Sequence, residues 1–338
     1  MYSELRKDLV SGDWIVIAPG RASRPVSFYK NKEKRQPSKI AGCPFEDPQK
    51  SGNAEPILIY KNKKDWEIQM IPNKYPALSP RQIPVAYAKH GPYSVLPGVG
   101  FHDIVVTRDH YKNFSALTPI GARQLFRAFQ DRYNMFFDDK DIAYVMIFHN
   151  WGLRAGASVF HPHYQIVALP IVPPDVGHSL MGSSLYFQKH KKCVHCVILD
   201  YERRAKSRIV FENKWAVTFA PYVSRVPFEL RLFPKLHRPY FEDMSPHELD
   251  GIADVLQGTL KMLSSKLSGP DYNFFIHTAP LPNKIKYRHY HWHIEILPHI
   301  SNPAGFELGT GIDINVVDPD AAAALLTGRK NKNSAKIH

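Results

Sequence analysis

Cysteine is scarce in this chain: three residues among 338, namely Cys43, Cys193 and Cys196. An odd number with a single C-x-x-C excludes a disulfide framework and points the thiols toward metal ligation instead. Long apolar runs are missing as well, so no segment reads as a membrane span. Acidic residues are outnumbered, 31 Asp and Glu against 44 Lys and Arg, for a formal charge of +13. That imbalance suits an acidic partner, either a phosphorylated metabolite or nucleic acid, and selects neither. Part of it sits in Arg329-Lys330-Asn331-Lys332, inside a basic tail (327–338) read as a disordered end. The opening, Met1-Tyr2-Ser3-Glu4-Leu5-Arg6-Lys7-Asp8, is charged and carries no secretory apolar segment. The expected location is therefore the cytoplasm.

What is present is a globular composition, 44% apolar and 12% aromatic, which rules out a disordered chain. The length suits two domains or one doubled domain. The densest chemistry lies in Phe160-His161-Pro162-His163-Tyr164-Gln165, ahead of the apolar run Ile166-Val167-Ala168-Leu169. Two histidines at i and i+2 on a strand point the same way, so one imidazole can ligate a metal while the next serves as nucleophile or base. An isolated H-x-H is usually only a polar stripe. Here the motif recurs as His291-Trp292-His293-Ile294-Glu295.

The recurrence extends along the chain. Leu9–Gly20 reads as two short strands around a Ser-Gly-Asp turn. Trp66 to Pro72 aligns with Trp215 to Pro221, and Ile104–His110 with Leu230–His237, each a strand ending in a histidine. Thr118-Pro119 and Ser245-Pro246 then open helices, the second with a capping box to Glu248. Apolar stripes follow at helical spacing, Leu125, Phe126, Phe129, Tyr133 and Phe136, then Leu249, Ile252, Val255, Leu256, Leu260 and Leu263. A buried strand (Tyr144–His149, aligned with Tyr272–His277) and the H-x-H strand complete each unit. The expected architecture is a duplicated α+β fold with two antiparallel-sheet halves, each with one long helix. The halves span 1–175 and 190–326.

Laying one half on the other collects Cys193, Cys196, His237 and His291, a Cys₂His₂ set suited to a closed tetrahedral zinc site. The first-half counterpart is Cys43, Glu46, His110 and His161. Its glutamate either completes a second zinc shell or is a surface acid beside an empty site. In each half the first histidine of H-x-H goes to the metal, and the second, His163 or His293, stays available.

These residues resemble the galactose-1-phosphate uridylyltransferase family of the histidine-triad (HIT) superfamily. The resemblance covers nearly the whole chain: Leu5-Arg6-Lys7-Asp8, Arg21-Ala22-Ser23-Arg24-Pro25, Cys43-Pro44-Phe45, Gly156-Ala157-Ser158, H-P-H-x-Q, His291-Trp292-His293 and Pro303-Ala304-Gly305-Phe306-Glu307. It implies a duplicated HIT-like fold and ping-pong nucleotidyl transfer. His163 would attack the α-phosphorus of a nucleoside-diphosphate sugar, with Gln165, Ser158 and the Gly156 loop donating to the phosphoryl oxygens. It further implies that Arg21 and Arg24 serve the phosphates or ribose, Asn73 and Tyr75 the base, and Asn150 the α-phosphate. Phe306 and Glu307 would face the sugar in a neighbouring subunit's site of a homodimer. Two departures stand out: Glu46 replaces a cysteine, and the bulky Tyr164 follows the nucleophile, where it is expected to alter the acceptor.

The leading expectation is a UDP-glucose–hexose-1-phosphate uridylyltransferase holding one or two structural Zn²⁺. An ADP-sugar phosphorylase or a nucleoside polyphosphate hydrolase of the same superfamily is the alternative. A non-catalytic nucleotide- or RNA-binding protein is the rival from another class, and no aromatic-basic recognition motif supports it. His293 is assigned to the non-catalytic half, because Glu295 would repel a phosphate where Gln165 would donate to one.

Overall fold

Strand alternation and helix caps place most elements where the local chemistry directs them, in a computed structural model that describes residues 2–23, 37–63, 65–80, 86–281 and 284–330. The amino end is a hairpin of β1 (Glu4–Lys7) and β2 (Trp14–Ile17). Its first strand lies earlier than expected. The Asp8 carboxylate accepts from the N–H groups of Val10 (2.7 Å) and Ser11 (3.0 Å) and bends them into the turn.

The first half contains β3 (Leu58–Lys61), β4 (Trp66–Pro72), the small hairpin β5 (Ala88–His90) and β6 (Tyr93–Val95), β7 (Phe101–Thr107), α1 (Pro119–Asn134), β8 (Tyr144–Trp151) and β9 (His163–Leu169). Two helices follow, α2 (Pro174–His190) and α3 (Val194–Ala205), the first crossing the gap expected between the halves. The second half repeats the order as β10 (Ile209–Glu212), β11 (Ala216–Phe219), β12 (Leu230–Pro234), α4 (Pro246–Lys266), β13 (Tyr272–His277) and β14 (His293–Pro298). It closes with α5 (Gly305–Thr310), β15 (Ile314–Asn315) and α6 (Pro319–Thr327). Gly328 caps α6, so the chain remains folded into the start of the expected tail. Arg24 and residues 331–338 lie outside the described residues.

The two five-stranded halves are fused into one antiparallel sheet of order β3-β4-β7-β9-β8-β13-β14-β12-β11-β10. The order reads the same from either end once the halves are exchanged. The seam is β8 against β13, with Asn150 opposite Asn273. Pairing there removes the two edges that separate halves would expose.

One face carries α1 and α4, which start as their caps require: Thr118 accepts from Gly121 N–H, and Ser245 and Glu248 form the full capping box. The expected stripes are core. Phe126, Phe129 and Tyr133 join Leu249, Ile252, Val255, Leu256 and Leu260 in a single buried cluster, each large side chain contributing about 1.5–3 kcal/mol by its burial. Arg123 and Arg127 of α1 form paired hydrogen bonds with Asp254 and Asp250 of α4, tying the halves on this side. Among the described residues, no helix is long and apolar enough to cross a membrane.

Pairing registers revise two details of the repeat. His163 and His293 are counterparts, and their partner strands then match Asn150 with His277, not His149 with His277. Trp66 and Trp215 do not coincide either. Trp66 packs with Phe45, Ile71, Ile104 and Val106, whereas the Trp215 ring lies against Gly251 of α4, on the other face. A register irregularity opposite Trp66 accounts for the difference, since a one-residue slip exchanges the faces of a strand.

Candidate active site

On the face opposite α1 and α4, β9 begins at His163, whose side chain is 7% exposed. Its Nδ1–H donates to the His161 carbonyl at 2.9 Å. That bond fixes the tautomer with the lone pair on Nε2, which is what a nucleophilic imidazole requires. Phe45 packs against the ring at 5.1 Å between centroids. From the helix side, His149 donates Nδ1–H to the His163 carbonyl at 2.7 Å, which holds the backbone at the start of β9. Tyr164 points away from the His163 ring. It is fully buried on the helix face and stacks on His149 at 4.4 Å, so it is core and cannot shape the acceptor as its position in sequence suggested.

Gln165 lies on the same strand face as His163, two residues on. His102 of β7 orients it. The Ala77 N–H donates to His102 Nδ1 at 3.1 Å, which places the ring proton on Nε2. Nε2–H donates in turn to Gln165 Oε1 at 2.8 Å. With its oxygen engaged, the amide presents its N–H groups, the donors a phosphoryl oxygen needs. Asn73 joins this cluster: its backbone N–H donates to the His102 carbonyl, and its side-chain oxygen accepts from the Tyr75 N–H. Tyr75 itself is 82% exposed.

Asn150 stands next to last on β8, beside a glycine loop. Its Oδ1 accepts from Asn273 Nδ2 at 2.7 Å, and its Nδ2 faces Gly156. Gly152 and Gly156 have φ of +93° and +86°, and a Cβ on Gly152 would collide with the Asp271 carboxylate. Ser158 is exposed beyond the loop. Arg21 stands on the 3₁₀ turn after β2. Phe306 and Glu307 stand on α5, where the Glu307 carboxylate accepts from the Ala304 N–H at 3.0 Å.

Both expected ligand sets converge. The donor atoms of Cys193, Cys196, His237 and His291 lie within 4.8 Å of one another, as do those of Cys43, Glu46, His110 and His161. His237 donates Nε2–H to the Arg288 carbonyl (2.9 Å) and turns Nδ1 toward Cys196 Sγ (3.3 Å), and His291 Nδ1 is 3.5 Å from the same sulfur. In the first half His161 and His110 donate Nε2–H to the carbonyls of Thr107 (2.7 Å) and Ser38 (3.1 Å). Their Nδ1 atoms face Cys43 Sγ (3.6 Å) and Glu46 Oε1 (2.8 Å). Outer carbonyls thus aim the Nδ1 lone pairs of His237, His161 and His110 at the centres of their sets, the arrangement a tetrahedral divalent cation needs. Hydrogen bonds from Cys196, His237 and His291 hold the Cys193 thiol well below its usual range. Burial pushes Cys43 up, so its thiolate depends on a cation being bound. Glu46 is a member of its cluster, not a surface acid.

Sequence reasoning missed His102, His149 and Phe45. A lone histidine on a strand and a phenylalanine after Cys-Pro carry no spacing that marks them. The β7–β9 pairing brings His102 to Gln165, the β8–β9 pairing brings His149 to the His163 backbone, and Phe45 reaches the His163 ring from the segment before β3.

Residues 1–173 match the family described as galactose-1-phosphate uridyl transferase, N-terminal domain, and residues 93–332 match a domain of unknown function, DUF4921. An ADP-glucose phosphorylase of Arabidopsis thaliana is 33% identical over 96% of this chain and 92% of that protein. A galactose-1-phosphate uridylyltransferase of Thermotoga maritima is 26% identical over 96% and 97%. Among solved structures, an ADP-glucose phosphorylase from A. thaliana with bound ADP-glucose superposes with a TM-score of 0.82, 30% identity and 97% and 100% coverage. A uridylyltransferase superposes at 0.74, with 27% identity and 97% and 98% coverage.

Proposed function

This chain belongs to the galactose-1-phosphate uridylyltransferase family of the histidine-triad superfamily, and from that premise we propose that it moves a nucleoside monophosphate from a nucleoside-diphosphate sugar to a phosphate acceptor through His163. The observation that carries the reading is the oriented pair: an imidazole with its lone pair on Nε2, and two residues on an amide whose oxygen is already engaged. Nε2 attacks the α-phosphorus, the bond to the β-phosphate oxygen breaks, and the sugar 1-phosphate departs. The imidazole is then a cation, and its Nδ1–H stays on the His161 carbonyl, which stabilises it. Gln165 N–H groups donate to the phosphoryl oxygens, where charge gathers in the transition state. An acceptor phosphate oxygen attacks the same phosphorus from the opposite side, the P–N bond breaks, and the original imidazole returns.

ADP-glucose as donor and inorganic phosphate as acceptor is the favoured pair, supported by the greater likeness to the phosphorylase in both sequence and structure. The second reading, uridylyl transfer to a hexose 1-phosphate, is supported by the family matched over residues 1–173. In either case Asn150 and the Gly156–Ser158 loop serve the α-phosphate, Asn73 and Tyr75 the base, and Arg21 with Arg24 the phosphates or ribose. Phe306 and Glu307 are assigned to the sugar in a partner chain's site, which makes a homodimer the working assembly. Zinc in the Cys193 set, and a second zinc in the Cys43 set, would anchor the H-x-H strands as structural cations. The cytoplasm is the proposed location.

Incubation with ADP-glucose or UDP-glucose alone, quenched in alkali, tests this by intact mass. An adenylyl adduct absent from His163→Ala supports the phosphorylase, and a uridylyl adduct supports the transferase. No adduct and no released nucleotide would sink both.

A further inference from the structure

The second half repeats the catalytic geometry and closes its phosphate seat. His293 donates Nδ1–H to the His291 carbonyl at 3.1 Å, as His163 does to His161. His195, two residues after Cys193, stands 5.3 Å from the His293 ring, where Phe45, two after Cys43, stands 5.1 Å from His163. At the position of Gln165 stands Glu295. Its carboxylate is held by Arg225 and by Arg231 Nε at 3.2 Å, with His277 Nε2 and His293 Nε2 each 3.7 Å away. The same two guanidiniums face Glu229, which is fully buried. With Asp8 3.7 Å from Arg231, three carboxylates face these two arginines, so among the described residues neither guanidinium is left for a phosphate. An anion is already built in.

Beside this seat lies a cavity of about 370 Å³. The sheet supplies Phe219 and Phe233, whose rings are parallel within 10°, α3 supplies Ile198 and Tyr201, and Leu9 and Tyr222 stand opposite. Phe219 and Phe233 hold the register positions of Ile71 and Val106, the apolar floor beside His163 in the first half. Arg231 and His195 line the cavity and adjoin Glu295 and His293, so the cavity and the closed seat are neighbours. Among the described residues, the other lining cations are the buried Arg208, matched by Glu202 (2.8 Å) and Asp320 (3.2 Å), and the exposed Lys7 at the rim, whose ammonium lies 5.7 Å from the Trp14 ring. An aromatic cavity whose buried charges are matched suits a flat, uncharged ligand, and this volume is at the small end of small-molecule pockets, about 300–1,000 Å³.

We propose that this second-half cavity is a binding site for an uncharged nucleoside, the remnant of a duplicated nucleotide site whose phosphate position Glu295 has filled. The inference rests on the reading that the first half binds a nucleotide. The two sites then have opposite preferences. Phosphate strengthens binding beside Gln165 and weakens it beside Glu295, where like charges meet.

The test is calorimetric titration of the full chain with adenosine or uridine in saturating AMP and UMP, which occupy the first half. One equivalent of nucleoside is expected to bind, and AMP or UMP to enter this cavity at least about tenfold more weakly. Ile198→Trp and Leu9→Trp fill the cavity from opposite walls and are each expected to weaken nucleoside binding by about tenfold or more. Leu9 is exposed, so the second variant keeps the fold if the first does not. Nucleoside that is wholly displaced by AMP and UMP, or binding untouched by a folded Trp variant, overturns the proposal. So does the absence of nucleoside binding to the folded parent. The alkali-quenched adduct, followed in Leu9→Trp, reports the first half separately: adduct without nucleoside binding defeats the cavity alone, and nucleoside binding without any adduct defeats the catalytic reading.

Discussion

His163 and Gln165 are catalytic in this reading because each presents a defined atom: one a lone pair on Nε2, the other an amide N–H. His102 acts through Gln165 and is a positioning residue. If its Nε2–H holds the Gln165 oxygen, His102→Ala should lower kcat by roughly 10–100-fold with little change in KM, because a freely rotating amide is a poor transition-state donor. A loss of binding with kcat intact would assign His102 to the substrate instead. Gln165→Glu imitates the second half at the catalytic position. It should cost about 10²–10³ in kcat, the magnitude of losing one oxyanion donor, and slow adduct formation equally. The H-x-H and H-x-Q spacing made these residues legible, since alternation alone puts positions 161, 163 and 165 on one face. Nothing local marked His102, because its contact with Gln165 crosses between strands far apart in sequence.

At the scale of elements, helix starts were the most legible features: Thr118-Pro119 and Ser245-Pro246-x-Glu248 cap helices through hydrogen bonds within three residues of the cap. Just before α4, burial pushes Glu242 up to about 7, against the opposing pull of Lys284 at 3.2 Å. The folded protein therefore retains a proton that the unfolded chain releases near its usual carboxyl pKa, about 4.3. Stability contributed by the protonated group is full below that value and is lost as pH rises toward 7. Glu242→Gln should then unfold at a higher temperature than the parent at pH 8, by the equivalent of roughly 1–3 kcal/mol, with the two curves meeting near pH 4. A parent more stable than the variant at pH 8 would mean that the Lys284 pair outweighs burial. In the glycine loop, Gly152→Ala must adopt φ near +93° and meet the Asp271 carboxylate. It should lose more than about 1 kcal/mol in a denaturant titration and displace Asn150 and Gly156 with it.

For the whole molecule, the fused sheet makes each half depend on the other, and a cation bound in each ligand set would tie its H-x-H strand to the segment that carries its cysteines. Removing metal with a chelator should lower the melting temperature and lose His163 adduct formation together, both restored by Zn²⁺. Cys193→Ser should release about one equivalent of zinc per chain by elemental analysis, leaving the Cys43 set filled. A protein purified with no zinc and unaltered by chelator would remove the structural role assigned to both sets.

The sequence by itself determined the duplication, the two long helices and their caps, the strand face of the histidines and both four-residue ligand sets, because each is written in short spacings or in their repetition; α2, α3, α5 and α6 were not read from it. It could not determine that the two half-sheets fuse along β8 and β13, that Trp66 and Trp215 face opposite ways, or that Tyr164 turns from the site. Those outcomes depend on pairing register, where a shift of one residue changes the face. Nor could it determine that Arg225 and Arg231 lock Glu295 in the second phosphate seat. Charges from a loop, β12 and β14 meet there only after the sheet has closed, and their balance is a property of the folded interior that no local spacing carries.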